Sequence, residues 1–364
     1  MKKSVAVLIC ALLLFGSVGC SQKNTEPKTD PSQESTNKTE AAAPGAPAEQ
    51  KKNEVWKMCN GVSDTHPQSV TLQKFADEFS KATNGRITVE VYHNNSLGSE
   101  EELTEMARTN TLQAFFGNVT SGLPSFMPEF GVFALPYLFH SYEDAHKYLN
   151  ESPKAKELWA SLEKMTNLHF VGDSLNGSRA LTTKDKVVKS PADLKGVMLR
   201  SMTAQVWQDV ISALGATPVP IAYNELYVAL QTGVVEGQDN GIANVYDAKF
   251  YEVQKYFYKT EHSYTLSGFF INSDAWKSLS ADEQTKFTEL FNKYCVDEYS
   301  VLMDDYYKEA EEVVQKAGME IVGQDKLDME AFYDSAAKMI DEKYMSNEKY
   351  KDIILDIRKY FGYK

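Results

Sequence analysis

The stretch LQTGVVEGQDN, Leu230 to Asn240, decides how the rest of the chain is read. Its first residues end a helical pattern, and Gly233 offers the left-handed stop at which helices commonly finish. Val234 and Val235 read as the start of a β-strand. Glu236, Gly237, Gln238, Asp239 and Asn240 follow at once, so a cluster of polar side chains stands at a strand tip. In an open α/β sheet the carboxyl ends of strands face the crevice where ligands bind, so such a tip is a candidate binding edge. The competing reading is that Asn240 only caps a following helix, Gly241–Lys249.

The flanking patterns agree with an α/β sheet. Towards the N-terminus, Glu54–Asn60 reads as a strand and Gln68–Ala82 as a helix, with Val70, Phe75, Ala76 and Phe79 at helical spacing and a stop at Asn84-Gly85. Arg86–Tyr92 alternates as a strand, Ser99–Arg108 is a helix and Leu112–Phe116 a strand. That β-α-β-α-β order predicts a mostly parallel sheet with helices outside. Gly122–Phe139, rich in Pro and aromatic residues, predicts an irregular packed wall, and Tyr142–Met165 a helix broken at Pro153. Strands are expected at 168–175 and 179–183, a helical turn at Pro191–Leu194, and a strand at Gly196–Met202. Helices follow at Thr203–Leu214, ended by Gly215, and at Asn224–Thr232, with Asn224 as N-cap. Tyr264–Ile271 is a strand. Ala281–Lys316 is one long helix or two abutting ones, with Phe287, Leu290, Phe291, Tyr294, Val301 and Leu302 on one stripe, and Asp328–Met345 and Tyr350–Tyr360 are further helix.

The start of the chain is not fold. Lys2 and Lys3 precede an apolar run, Val5–Phe15, of signal-peptide length. GSVGC then ends at Cys20 and resembles a bacterial lipobox, with Ser17 where leucine is usual, so residues 1–20 read as a lipoprotein signal with Cys20 lipidated. Residues 21–53 contain no Val, Ile, Leu, Met or aromatic side chain and read as a disordered tether. The remaining 310 or so residues exceed what one core usually holds, so two lobes are expected. Cys59 and Cys295 lie far apart and read as two buried free thiols rather than a disulfide.

Composition narrows the function. A formal net charge of -13 with no basic patch argues against nucleic acid. There is no GxSxG, HExxH, P-loop or GxGxxG, and the six histidines show no ligand spacing, so neither enzyme, metal nor cofactor is expected. Glu100, Glu101 and Glu102 read as a charge run suited to a helix start. Arginine is scarce: Arg86, Arg108, Arg179, Arg200 and Arg358. A guanidinium forks a carboxylate with two parallel hydrogen bonds, which an ammonium cannot do. Arg200 ends the strand GVMLR, Arg179 lies in NGSRALTTK, and with Asn240 they are three ligand-capable groups at strand ends.

Five segments occur together and in order: HPQSVTLQKFADEFSKATNGRITVEVYHNNSLGSE, PEFGVFALPYLFHSYEDAHK, NGSRALTTK, SPADLKGVMLRSM and LGATPVPIAYNELYVALQTGVVEGQDNGIANVYDAKFYEVQKY. Over residues 54–300 the chain resembles the solute-binding proteins of tripartite ATP-independent periplasmic (TRAP) transporters, the dicarboxylate-binding DctP type. The resemblance implies a periplasmic-binding-protein-like fold, two α/β lobes with a cleft between them and a long helix spanning both. It places lobe I at 54–176 and 266–303, and lobe II at 177–265 and 304–364. It implies that Arg200 clamps a ligand carboxylate, that Arg179 and Asn240 assist, and that Tyr223 lines the ligand. Asp239 stands where glutamate is usual, and Gly241 where proline is usual. Gln238 joins the site by strand alternation, while Asp64 and Asn118 enter only because they follow strand ends. The function implied is an extracytoplasmic, lipid-anchored monomer that binds a small organic acid and delivers it to the permease. The alternatives are a sensor's ligand-binding partner or a secreted hydrolase.

Overall fold

The computed structural model describes residues 53–363, so the expectations for the signal segment, Cys20 and nearly all of the tether lie outside the described residues. The chain opens with strand β1 (Glu54–Cys59), helix α1 (Pro67–Ala82), β2 (Ile87–Tyr92), α2 (Glu100–Arg108) and β3 (Ala114–Asn118). β1 pairs in parallel with both β2 and β3, as the β-α-β-α-β pattern predicts. Local chemistry marks these boundaries. Ser99 and Glu102 form a reciprocal capping box at the start of α2, and Asn84 and Gly85 take positive φ after α1.

Two helices, α3 (Tyr142–Glu151) and α4 (Pro153–Thr166), lead into β4 (Leu168–Thr183). Next come β5 (Met198–Ser201), α5 (Gln205–Ala213), β6 (Thr217–Pro220), α6 (Leu226–Thr232), β7 (Gly237–Asn240), α7 (Ile242–Asp247) and β8 (Tyr256–Asn272). The C-terminal part holds α8 (Ser273–Ser278), α9 (Ala281–Phe291), α10 (Tyr299–Lys316), β9 (Glu320–Val322), α11 (Met329–Met339) and α12 (Glu348–Phe361). All strands join one mixed sheet in the order β2-β1-β3-β8-β4-β7-β5-β6, with β9 beside β8. Strands β4 and β8 are antiparallel to each other and long enough to belong to both halves of the sheet. One apolar core runs across both halves, from Cys59 and Phe115 to Leu199 and Trp207, and each half adds a core of its own. Trp56, Phe75, Phe79 and Phe287 close one, and Leu226, Leu230, Phe250 and Phe257 belong to another. Phe75 and Phe79 meet Phe287 edge-on at 4.8 and 4.9 Å, and burying each such ring is worth roughly 1.5–3 kcal/mol.

Several sequence expectations change. The strands expected at 168–175 and 179–183 are one strand, and the strand expected at Tyr264–Ile271 begins at Tyr256. Polar residues hid the continuity: Asp173, Ser174, Asn176 and Arg179 on β4 and Thr260, His262 and Ser263 on β8 are all buried, and all but Asn176 bond neighbouring side chains or backbone. Val234 and Val235 are not strand; β7 is the polar run Gly237–Asn240 itself, all four residues buried. Gly237 permits this, since a Cβ there would lie 2.0 Å from the Thr182 carbonyl oxygen on β4. Asn224 sits inside a 3₁₀ turn, Tyr223–Glu225, and makes no cap for α6.

Residues 281–316 do form one continuous helical rod, but Asn292–Glu298 are π-helical. The wider turn spaces the buried stripe every four residues, at Phe287, Phe291, Cys295, Tyr299 and Met303. Val301 and Leu302, expected on that stripe, are therefore exposed. Cys59 and Cys295 are buried free thiols, and burial pushes the Cys59 thiol up to about 11. Among the described residues no helix is long and apolar enough to cross a membrane, and no group of acidic, His or Cys side chains is placed to hold a metal ion.

Candidate functional site

The cavity where the carboxyl ends of β1, β3 and β5 meet the end of β7 encloses about 730 Å³ of open space, mouth included. Arg200, Arg179, Asn240, Tyr223 and Asn118 all line it. Gln238 and Asp64 do not.

Arg200 comes from β5, whose parallel neighbour β6 leads to Ile221. Its Nε donates to the Ile221 carbonyl at 2.9 Å, which orients the guanidinium. The side chain is buried, and Nη1 has no partner. Burial lowers its pKa to about 10, against the pull of Asp239. A buried cation with an unpaired donor at a cavity wall lacks an anion. Tyr223, in the turn after β6, also presents a buried hydroxyl without a partner, and burial raises its phenol.

Asn240 ends β7, and its Nδ2 donates to the Gln238 Oε1 at 2.6 Å. Gln238 Nε2 in turn donates to Thr182 Oγ1, which donates to Gln254 Oε1, both at 3.0 Å. Gln238 therefore stands behind Asn240 and positions it. Asn240 does not cap the next helix: Gly241 holds that position, and no side chain caps there.

Asp239 faces the other side of β7, away from the cavity, as strand alternation requires. Its Oδ2 accepts from Arg179 Nε at 2.8 Å and lies 3.4 Å from His262 Nε2. Arg179 also donates to the Asp239 carbonyl at 2.5 Å and to Thr265 Oγ1 at 3.1 Å, with its guanidinium 4.6 Å from the Trp207 ring. Burial alone would raise the Asp239 carboxyl, but Arg179 and His262 more than offset it and hold it at about 2. Burial keeps His262 below its ordinary value. Arg179 is thus already neutralised, and the unpaired positive charge belongs to Arg200.

The opposite wall corrects the strand-end guess for Asp64. That residue is exposed on the β1–α1 loop, because the loop turns back to let His66 cap α1 and Val62 pack inward. Val62, Gln68, Asn95 and Glu100 line the cavity instead. Asn118 does reach it, with its Oδ1 held by the Thr120 backbone N–H at 2.8 Å. Glu100 is the residue that sequence reading missed. Burial raises its carboxyl to about 7; Glu101 adds to this, while Ser121, Arg200 and the Asn118 backbone pull the other way. The signal was available in principle, since the first turn of a helix that follows a strand's carboxyl end borders the crevice.

A family model, "Bacterial extracellular solute-binding protein, family 7" (DctP), matches residues 58–347. The chain belongs to this family. Among curated relatives, the C4-dicarboxylate-binding protein DctB of Bacillus subtilis is 35% identical over 235 residues, 65% of this chain and 66% of the relative. The aligned part thus spans a little under two thirds of that relative's length. Two solved TRAP periplasmic solute-binding proteins share the fold. One, from Roseobacter denitrificans with bound L-galactonate, is 27% identical with a TM-score of 0.76 over 85% of this chain and 99% of that one. The other, from Chromohalobacter salexigens with bound D-glucuronate, is 25% identical with a TM-score of 0.78 over 84% and 99%. The mixed α/β sheet with surrounding helices matches these TRAP solute-binding structures, consistent with the expected two-lobe architecture.

Proposed function

We propose that this protein is the extracytoplasmic binding subunit of a TRAP transporter, capturing a small organic acid by its carboxylate and passing it to a membrane permease. The observation that carries this is Arg200, buried at the cavity wall with Nη1 unpaired. A ligand carboxylate supplies the missing partner, with the Asn240 amide beside it. The relatives' names agree on a carboxylate and differ on the rest of the molecule, a dicarboxylate for DctB and sugar acids in the solved structures. Anchoring through a lipid on Cys20, with residues 21–53 as tether, completes the proposal. A thermal-shift screen of the purified protein against organic acids tests it. An acid at 100 times its Kd adds about 2.7 kcal/mol of stability. At least one carboxylate should raise the midpoint and be recovered unchanged after release. No response to any acid, or turnover of the bound one, would overturn the reading.

The two lobes meet, on this proposal, at 176/177 on β4 and 265/266 on β8. The β4–β8 register is irregular there, between Leu175/Leu266 and Ser178/Tyr264. Several hydrogen bonds then cross between the lobes, Trp207 Nε1 to the Thr120 carbonyl among them, and two more tie α7 and the β5–α5 loop to the first lobe. Asp247 on α7 accepts from the Ser63 backbone N–H at 3.0 Å and from the Ser63 hydroxyl, and Thr203 bonds Glu101. Asp247→Ala removes charge-assisted bonds worth about 1.5–3 kcal/mol in total, and ligand affinity should fall about ten-fold or more with a faster off-rate. An unchanged off-rate would mean that closure does not depend on this latch.

Asn240→Asp is expected to hurt binding more than folding. It puts a carboxylate beside the ligand's own, and an acceptor against Gln238 Oε1, which the Gln238 amide cannot easily relieve because its nitrogen is committed to Thr182. Affinity should drop by on the order of 2 kcal/mol or more. Full retention of affinity in calorimetry would remove Asn240 from the site.

A further inference from the structure

The cavity also discriminates between acids, and this inference rests on the solute-binding reading above. Its buried charges leave room for one carboxylate. Arg179 is spent on Asp239, and among the described residues no carboxylate forms an ion pair with Arg200. Glu100 lines the same cavity, with Oε2 buried and without a partner. The buried set therefore carries at most one net positive charge, that of Arg200, so one ligand carboxylate is enough to neutralise it and a second would also face Glu100.

Hydrogen-bond polarity points the same way. Asn95 and Asn176 line the cavity too, and the Oδ1 of each is buried and unpaired. With Glu100 Oε2, when that carboxyl is ionised, they make three acceptor oxygens that only a donor can satisfy. The carboxylate groups of an unsubstituted dicarboxylate present acceptors only. It would leave all three unmatched and set its second carboxylate against Glu100. A chain of hydroxyl groups supplies the donors. We propose that Glu100, with Asn95 and Asn176, makes this cleft selective for polyhydroxylated monocarboxylates of the uronate and aldonate class over dicarboxylates. Arg200 and Asn240 hold the single carboxylate, and the three acceptors take hydroxyl donors from the rest of the ligand.

The test compares D-galacturonate with galactarate, the same skeleton carrying a second carboxylate, and with succinate, a diacid without hydroxyls. Calorimetry on the full chain should show galacturonate, or another uronate or aldonate of the panel, binding at least about ten times tighter than either diacid. Glu100→Gln should shrink the galacturonate-to-galactarate ratio by about ten-fold or more, because it removes the repulsion and keeps the shape. The groups facing Glu100 are Glu101 on its own helix, Arg200 on β5, and Ser121 and the Asn118 backbone after β3. With Glu100 titrating near 7, galactarate affinity in the parent should rise from about pH 8 to about pH 6 with proton uptake, and should be flat in Glu100→Gln. The inference is overturned if a diacid matches or exceeds every uronate and aldonate in the parent, a result that needs no variant to fold. It also falls if Glu100→Gln leaves the ratio unchanged. If diacids bind and Arg200→Ala abolishes that binding, the carboxylate-clamp reading survives and only the selectivity fails. If neither class binds, both fail.

Discussion

Arg200→Ala should abolish ligand binding and leave the fold standing. The side chain is buried, anchored by one bond to the Ile221 carbonyl, and otherwise faces the cavity with an unpaired Nη1. Burial has already lowered its pKa to about 10, which is the mark of a cation that costs stability while it waits for a partner. Removing one member of a buried, hydrogen-bonded charge pair typically costs about 2–5 kcal/mol of affinity, much of it from the stranded carboxylate. That is a loss of roughly 30-fold to several thousand-fold. The empty protein should melt no lower than the parent, since the substitution relieves a desolvated charge. Arg200→Lys keeps the charge and loses both the fork and the geometry set by Nε, so it too should bind at least about ten-fold more weakly. A dissociation constant for the lysine variant within a few-fold of the parent would show that the clamp lies elsewhere.

Asp239→Asn should do the opposite, striking the fold harder than any single contact with the ligand would. It leaves Arg179 buried against a neutral amide, and breaking one side of a buried ion pair typically costs about 3–5 kcal/mol. For a folded part of this length that lowers the melting midpoint by roughly 5–8 °C. The pH dependence follows from the same pair. The folded carboxyl lies at about 2, below its ordinary value of 3.8, so its contribution is fully present above about pH 4 and is lost as pH falls through about 2. In Asp239→Asn that acid limb should vanish from the stability profile, while the rest of the curve shifts down. A variant with parent-like stability at neutral pH would mean that the amide and His262 suffice to hold Arg179.

Much of the fold was legible because it is written in local chemistry. The periodicity of Phe75 and Phe79, the Ser99–Glu102 box, the positive-φ stops at Asn84-Gly85 and Gly233, and the alternation of ITVEVY each act over a few residues. Arg200 and Asn240 were legible for a related reason: strand ends in an open sheet face the crevice whatever else the chain does. Glu100 was not. Glu100, Glu101 and Glu102 look alike in sequence, yet Glu102 caps its own helix, Glu101 bonds Thr203, and only Glu100 carries a buried oxygen without a partner.

The sequence by itself therefore determined most of the helices, the opening β-α-β-α-β order, the two-lobe class and the place of Arg200 and Asn240 at strand ends, because backbone periodicity and capping depend on near neighbours. Tertiary structure alone decided which polar residues are buried. Asp173, Arg179, Asp239 and His262 lie inside strands that read as broken or as tips, and they stay inside because partners 23 to 86 residues away in the chain bond to them. Burial without a partner is costly and burial with one is tolerated, and whether the partner arrives depends on how the sheet closes rather than on the residues beside it.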